Sequence, residues 1–398
     1  MSNISRPPFD RYSIIWTILN LTSLLQIGSR GDYGLKAPST STSEAPSTNY
    51  LGASIFISYI IAALVLTFAI SSHLETGYRR IKARGQGSPS QWRQFKTFST
   101  LASLSFAVLS WNMLNFLIMS YQAWSMRWVP SRSTTSPDAL SLVKRIWQWT
   151  IQSTLFLDFA RSLCANQYGY WWVMQALMAT MTSVYVMQIA GRQWKIRNML
   201  YYFAIGQILP ISFAMNLFSI ALVLAQIENE TTTEEAKQNE GLSMREQTFN
   251  KADKEVDGQG LWVVGATMIV YRLNLFQLPS TVNRSDFMNF VLTTRLMLFG
   301  ASGIKVPAPR ALDKRLARSH LSVLRVYTVC QIIAAFIEQN GFQNLVNQAW
   351  HLVESPAVSA LSMDYLLWFV SIWVLNSSGL LGRPVSGDAA AAAQDSIW

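Results

Sequence analysis

The stretch YYFAIGQILPISFAMNLFSIALVLAQ, residues 201–226, decides the fold class of this chain. It contains no formally charged residue, and a helix of about 20 residues already crosses a bilayer core of ~30 Å. Pro210 lies inside it and cannot donate a backbone hydrogen bond, so the carbonyl of Gly206 loses its usual partner. The sequence therefore predicts one long apolar helix with a kink at the proline.

A polar face follows this proline. Ser212, Asn216 and Ser219 recur at i, i+4 and i+7, which places them on one side of a helix. Unpaired amides and hydroxyls are costly in hydrocarbon, so this side should point toward other helices or toward a polar cavity.

The composition indicates an all-α, multi-pass transmembrane bundle. Half of the 398 residues are hydrophobic and only 14% are charged, against roughly a quarter charged in soluble proteins. The net charge of +10 arises mainly in short loops between helices, which the positive-inside rule explains without nucleic acid as a partner. Two distant cysteines and three histidines without metal-ligand spacing predict neither a disulfide framework nor a metal site.

The chain divides into three regions. Residues 1–50 are predicted to form a signal-anchor helix and a loop rich in Ser and Thr. Residues 51–376 form the helical membrane domain, which contains an acidic loop at 228–259 that we predict to be disordered. Residues 377–398 form a flexible tail with a run of alanines.

The sequence has ten apolar segments, but the charges of the loops between them do not fit ten membrane crossings. The basic residues of 72–97, 191–199 and 303–320 lie on one side only if two segments fail to cross. We assign this role to 146–165, which carries charged residues, and to 287–300, which is short. About eight crossings remain, with both termini cytoplasmic and the 228–259 loop in the lumen. The ten segments are 14–27, 51–71, 98–121, 146–165, 170–190, 201–226, 261–278, 287–300, 321–338 and 361–376.

Carboxylates inside membrane segments are the candidates for catalysis, because buried charge is expensive. Asp158 shares a helical face with Thr154 and Arg161. It is either a proton donor with a pKa set by desolvation, or half of an ion pair that joins two helices. Glu338 and Asp364 are the next candidates, and a solvated position at the membrane interface is their alternative interpretation.

Aromatic and amide residues supply candidates for substrate binding. Aromatic belts at the interface are the alternative for the tryptophans, and snorkelling to the interface is the alternative for Arg272. The binding candidates are Arg161, Trp171, Trp172, Gln175, Tyr185, Gln207, Asn216, Asn112, Asn115 and Arg272.

Several motifs are absent from the sequence. It has no GxGxxG followed by an acidic residue and no P-loop, so nucleotide chemistry is not indicated. It also lacks HExxH, which argues against a zinc protease. No DDxxD, DxDD or NDxxD pattern is present to bind Mg²⁺ on a diphosphate.

The segments YWWVMQALMATMTSVYVMQIA and GQILPISFAMNLF resemble the integral-membrane terpene cyclases of fungal meroterpenoid pathways, the ascofuranone, ascochlorin and macrophorin group. The likeness is strongest over 95–225 and rests on apolar-aromatic texture and on Gln207-x-x-Pro210. It implies protonation of a terminal epoxide or alkene on a farnesylated or polyprenyl substrate, followed by a cation cascade, with no metal and no redox cofactor.

Two hypotheses from different classes follow. The first is a Brønsted-acid cyclase of secondary metabolism, in which a neutral carboxylic acid protonates the substrate and aromatic faces stabilise the cation. The second is a small-molecule transporter or receptor-like binding protein, which also needs a broken helix with a polar face. Either would reside in the endoplasmic reticulum or another endomembrane, with no obligate protein partner. Asn229-Glu230-Thr231 is a glycosylation sequon.

Overall fold

The computed structural model describes residues 49–128, 142–164, 167–196, 198–239, 293 and 355–381. Within these ranges the chain is helical and contains no strand. The helices are α1 (Tyr50–Ala83), α2 (Pro89–Trp128), α3 (Leu142–Gln152), α4 (Leu155–Cys164), α5 (Gln167–Gln193), α6 (Met199–Ile208), α7 (Ile211–Asn239) and α8 (Pro356–Ser377).

Helix α7 is the centre of the bundle. It packs against α1, α2, α5, α6 and α8, and its segment Ile211–Glu230 is the most buried of the apolar helices of the described part. Met215, Phe218 and Leu222 are completely enclosed. The polar face is buried too, because Ser212, Asn216 and Ser219 are each 0% exposed. The prediction that this face points toward other helices or a polar cavity, and away from lipid, agrees with this burial.

The predicted single kinked helix over 201–226 is wrong, because α6 and α7 are separate helices that form an antiparallel hairpin. The rings of Tyr202 and Phe218 lie 5.7 Å apart, whereas one continuous helix would separate them by about 24 Å. Leu209 has extended backbone angles and breaks the helix. A Cβ added to Gly206 would lie 3.0 Å from Ile211 Cδ1 and 3.2 Å from Ala214 Cβ, so glycine lets the two helices approach.

Six helix ends, including the start of α6 at Met199, meet at one end of the bundle, which we call the basic end. The connection between α1 and α2 defines it. Gln94 Nε2 donates to Ser378 O just after α8, and Trp194 Nε1 donates to Leu380 O, so α5 and α8 end there as well. The basic segments 72–97 and 191–199 thus lie together, as their charges predict.

The end of α7 also reaches the basic end, and this overturns the lumenal placement for the start of the 228–259 segment. Arg80 Nη1 lies 3.5 Å from Glu228 Oε1, and Gln91 Nε2 donates to Glu230 Oε2 at 2.8 Å. The prediction counted 201–226 as one crossing, whereas a hairpin returns to the side from which it started. Helix α7 continues to Asn239, so 228–239 is helical; the rest of the predicted loop lies outside the described residues.

The predicted helix over 146–165 is two short helices, α3 and α4, separated at Ser153 and Thr154. The end of α3 meets the start of α1, where Asn49 N donates to Ile151 O at 2.6 Å. The end of α4 lies by the start of α5, where a Cβ on Gly169 would be 2.4 Å from Leu163 O. Both contacts lie opposite the basic end, which fits the choice of 146–165 as a segment without a crossing.

Four helices of the described part are long and apolar enough to span a membrane, namely α1, α2, α7 and α8 over the ranges Gly52–Ala83, Pro89–Met126, Ile211–Glu230 and Pro356–Ser377. Large apolar side chains such as Phe68, Trp111 and Trp373 face outward on α1, α2 and α8, as lipid contact requires. These features indicate a membrane protein. The count of about eight crossings stays a prediction, because 14–27, 261–278, 287–300 and 321–338 lie outside the described residues apart from Thr293.

Candidate functional site

The first element of the candidate site is the Asp364 carboxylate of α8, which caps the N-terminus of α7. Its Oδ2 accepts from Ile211 N at 3.0 Å and its Oδ1 accepts from Ser212 N at 2.9 Å. The first N–H groups of a helix have no partner within the helix, and the helix dipole favours an anion there. Asp364 lies eight residues after Pro356, so the start of α7 contacts α8 about 12 Å along α8 from its first residue.

The second element is the contact between Asn216 of α7 and Ser371 of α8. Asn216 Nδ2 donates to Ser371 Oγ at 2.8 Å and to Ser212 O at 2.8 Å. Ser371 Oγ donates in turn to Leu367 O. Asn216 and Ser371 are fully buried, so the hydrogen bond fixes the position of α7 relative to α8.

The third element links α8 to α5 through an aromatic cluster. Trp368 is 0% exposed and its Nε1 donates to Ser183 Oγ at 2.6 Å. The ring of Tyr365 stacks on Trp368 with centroids 5.6 Å apart and meets Trp172 edge to face at 6.0 Å. Such ring pairs favour defined geometries and stiffen the contact between the helices.

Together these contacts define a polar seam between α5, α7 and α8, bordered by the aromatic cluster. Each of its residues contributes a polar group, whereas the core around the seam is apolar. The residues of the polar seam are Ser183, Ser212, Asn216, Asp364, Trp368 and Ser371.

Some buried polar atoms in and near this seam have no hydrogen-bond partner among the described residues. They include Asn216 Oδ1, Ser212 Oγ and Gln175 Nε2. Gln175 is 1% exposed and lies one turn of α5 after Trp172. Native structures leave few such groups unpaired, and those that remain require a specific explanation.

The predicted pairing of Asp158 with Arg161 is not formed. Asp158 Oδ2 accepts from Thr154 Oγ1 at 2.9 Å, while Arg161 Nε is buried without a hydrogen-bond partner in the described ranges. The Asp158 side chain is exposed, so it is not the buried carboxylate that the sequence suggested. The break between α3 and α4 explains this difference, because Asp158 lies in the first turn of a short helix.

The other predicted residues are distributed as follows. On α2, the Asn112 amide donates to Val108 O within its own helix, and Asn115 is half-buried. Gln207 is half-buried near the end of α6. The side chains of Trp171 and Tyr185 lie outside the described part of the structure, as do residues Glu338 and Arg272. The seam therefore includes Asp364 and Asn216, and Trp172 and Gln175 lie on α5, one of the three helices that form it.

Sequence reasoning missed Ser183 and Ser371, which complete the seam. The available signal was a serine inside an apolar run at helical spacing from another residue of the buried side. Ser371 follows Trp368 by three residues, and Ser183 follows Ala179 by four on the buried side of α5. No three His, Cys, Asp or Glu side chains of the described residues gather as metal ligands would.

Comparison with known proteins adds no relative. No protein-family model, curated protein sequence or solved structure matches this chain. The class that the fold and the seam define is a helical membrane protein with a polar, aromatic-bordered interior.

Proposed function

We propose that this chain is a membrane-bound terpene cyclase that acts on a farnesyl-bearing or polyprenyl substrate. The observation that carries the proposal is the aromatic cluster of Trp172, Tyr365 and Trp368, which adjoins the half-buried Asp364 carboxylate on α8. Aromatic faces and a fixed anion both stabilise a carbocation where water is excluded. The resemblance to fungal meroterpenoid cyclases favours the same chemistry.

The proposed reaction is an isomerisation. A proton adds to a terminal epoxide oxygen or alkene carbon, the double bonds of the chain close rings in turn, and the final cation loses a proton. No atoms are gained or lost overall. A shaped pocket would hold the flexible chain in a reactive fold and so lower the entropic part of the barrier.

We propose different roles for the three carboxylate candidates. Both oxygens of Asp364 accept backbone N–H groups at the start of α7, so we assign it the role of stabilising positive charge and not that of the proton donor. Asp158 is exposed and is not part of the buried seam. We therefore assign the proton donor to Glu338, which lies outside the described residues.

The test is coexpression with enzymes that make a farnesylated phenol, followed by chromatography and mass spectrometry of the extracts. We expect a product with the mass of the precursor and a different retention time. Trp368→Leu should accumulate the linear precursor, and Trp368→Phe should retain part of the turnover because it keeps an aromatic face. Trp373→Leu is the matched control, since Trp373 lies on the same helix and is 61% exposed.

Glu338→Gln should also abolish the cyclised product at normal expression. An unchanged precursor in cells that express the wild-type chain would refute the cyclase. Equal turnover in Trp368→Leu and Trp373→Leu would remove the aromatic cluster from the mechanism.

A transporter is the second candidate, because the hairpin of α6 and α7 places a helix terminus inside the bundle. Transporters commonly bind substrates at such broken helices. Uptake of the farnesylated phenol into sealed vesicles without isomerisation would favour this candidate.

A further inference from the structure

The hydrogen bonds of Asn216 fix which way its side-chain amide points. Nδ2 donates to Ser212 O, a backbone carbonyl that can only accept. It also donates to Ser371 Oγ, whose own hydrogen is used on Leu367 O. A flipped amide would bring Oδ1 against two acceptors, so the assignment is determined.

Asn216 Oδ1 therefore needs a donor that the described part of the chain does not supply. The atom is fully buried and has no hydrogen-bond partner there. It cannot obtain one by rotation, since rotation would break both bonds of Nδ2. A buried acceptor fixed in this way selects an O–H or N–H group from outside the seam.

Ser212 Oγ lies one helical turn before Asn216 on the same face of α7 and is also buried without a partner. A serine hydroxyl can donate or accept. A single hydroxyl group of a ligand could donate to Asn216 Oδ1 and accept from Ser212 Oγ, which would satisfy both atoms at once. Both residues belong to the N-terminal turns of α7 that Asp364 caps, so a negatively charged ligand is disfavoured and a neutral hydroxyl is suitable.

We propose that Ser212 and Asn216 form a subsite for the hydroxyl of a neutral, lipid-soluble alcohol or phenol. This proposal rests on the proposed function and specifies the polar group of the substrate. The apolar part of the ligand would lie along the aromatic cluster, because Trp368 precedes Ser371 by less than one turn of α8. A trapped water has the same hydrogen-bonding chemistry and is distinguished by the test.

The test compares two probes, a farnesylated phenol and farnesylbenzene, which is the same molecule without the hydroxyl. Their affinities are measured with the full chain in lipid nanodiscs by competition against the tritiated phenol. Farnesylbenzene cannot donate to Asn216 Oδ1 and leaves this buried atom unpaired, which should weaken its binding by about 10-fold relative to the phenol. The wild-type chain should therefore prefer the phenol by that factor, and Asn216→Leu should remove the preference.

Ser212→Ala provides a second variant in case Asn216→Leu disturbs packing, because alanine removes only an unpaired hydroxyl. It should reduce the preference for the phenol and leave thermal stability unchanged or higher. Ser219→Ala is its matched control on the same helix, since Ser219 Oγ donates only to Met215 O among the described residues, and it should keep the full preference.

Equal affinity of the wild-type chain for both probes overturns the subsite and assigns a water to Asn216 Oδ1. A preference that survives in both Asn216→Leu and Ser212→Ala overturns it as well. If the chain cyclises the phenol in cells while binding both probes equally, only the subsite fails. If neither probe binds, the proposed cyclase and its subsite fail together.

Discussion

Replacing Asp364 by Asn should destabilise the bundle substantially, although the two side chains have nearly the same shape. The carboxylate accepts Ile211 N and Ser212 N, whereas an amide offers one oxygen and turns an NH2 group toward the other N–H. One charge-assisted hydrogen bond, of about 1.5–3 kcal/mol, is lost and the second becomes a weaker neutral one. The expected loss of unfolding free energy is about 3 kcal/mol, with part of it due to the helix dipole.

The eight described helices hold 183 residues, and for a cooperative unit of that size such a loss should lower the unfolding midpoint by roughly 6–12 °C. Cys164 supplies the measurement, because it is buried and becomes accessible to a thiol-reactive dye on unfolding. A Cys330→Ser background leaves it as the single thiol, since the chain has two cysteines. The midpoint is read as dye fluorescence in detergent.

Asp158→Asn is the matched control, since Asp158 is an exposed carboxylate bonded to Thr154. Its midpoint should stay close to that of the parent chain, as surface substitutions usually do. A shift for Asp364→Asn as small as that for Asp158→Asn would refute the view that Asp364 anchors α7.

Three further outcomes are expected. Gly206→Leu should disrupt the hairpin, because the Cβ of the new side chain would lie 3.0 Å from Ile211 Cδ1 and 3.2 Å from Ala214 Cβ. Pro210→Ala should keep the hairpin, because the Asp364 cap and the close approach at Gly206 remain. The two variants are compared by their unfolding midpoints. Asn229 should stay unglycosylated in microsomes, because the end of α7 lies at the basic end, which the positive-inside rule places in the cytoplasm; a glycan on Asn229, seen as a shift in gel mobility, would contradict the hairpin. Burial raises the pKa of the Cys164 thiol to about 12, so in the folded protein at pH 8 it should resist maleimide, whereas rapid labelling would show that α4 is open.

The sequence was informative about burial and uninformative about chain reversal. Residues 201–226 were recognised as the centre because their apolar length and polar spacing are local properties. Pro210 predicted an interruption, but a kink and a reversal break the same hydrogen bond of Gly206. The decision between them depends on Asp364, which is distant in sequence, and on the contact of Gly206 with Ala214.

The candidate site was predictable where a polar residue stood inside an apolar run. Asn216 and Asp364 were identified in this way, and the structure joins both to the seam. The pairing of Asp158 was not predictable, because spacing at i and i+3 allows an ion pair without requiring one. The bond that Thr154 donates to Asp158 instead depends on the break between two short helices.

The cap on α7 also sets an order for the biogenesis of this protein. Helix α7 is synthesised more than a hundred residues before α8, yet its first N–H groups depend on a carboxylate that α8 carries. Until α8 leaves the ribosome, the tip of the hairpin has bare amides that hydrocarbon does not tolerate. The nascent hairpin should therefore remain at the translocon or with a membrane chaperone until its last partner arrives. Chains truncated before Pro356 should be recognised by quality control as incomplete.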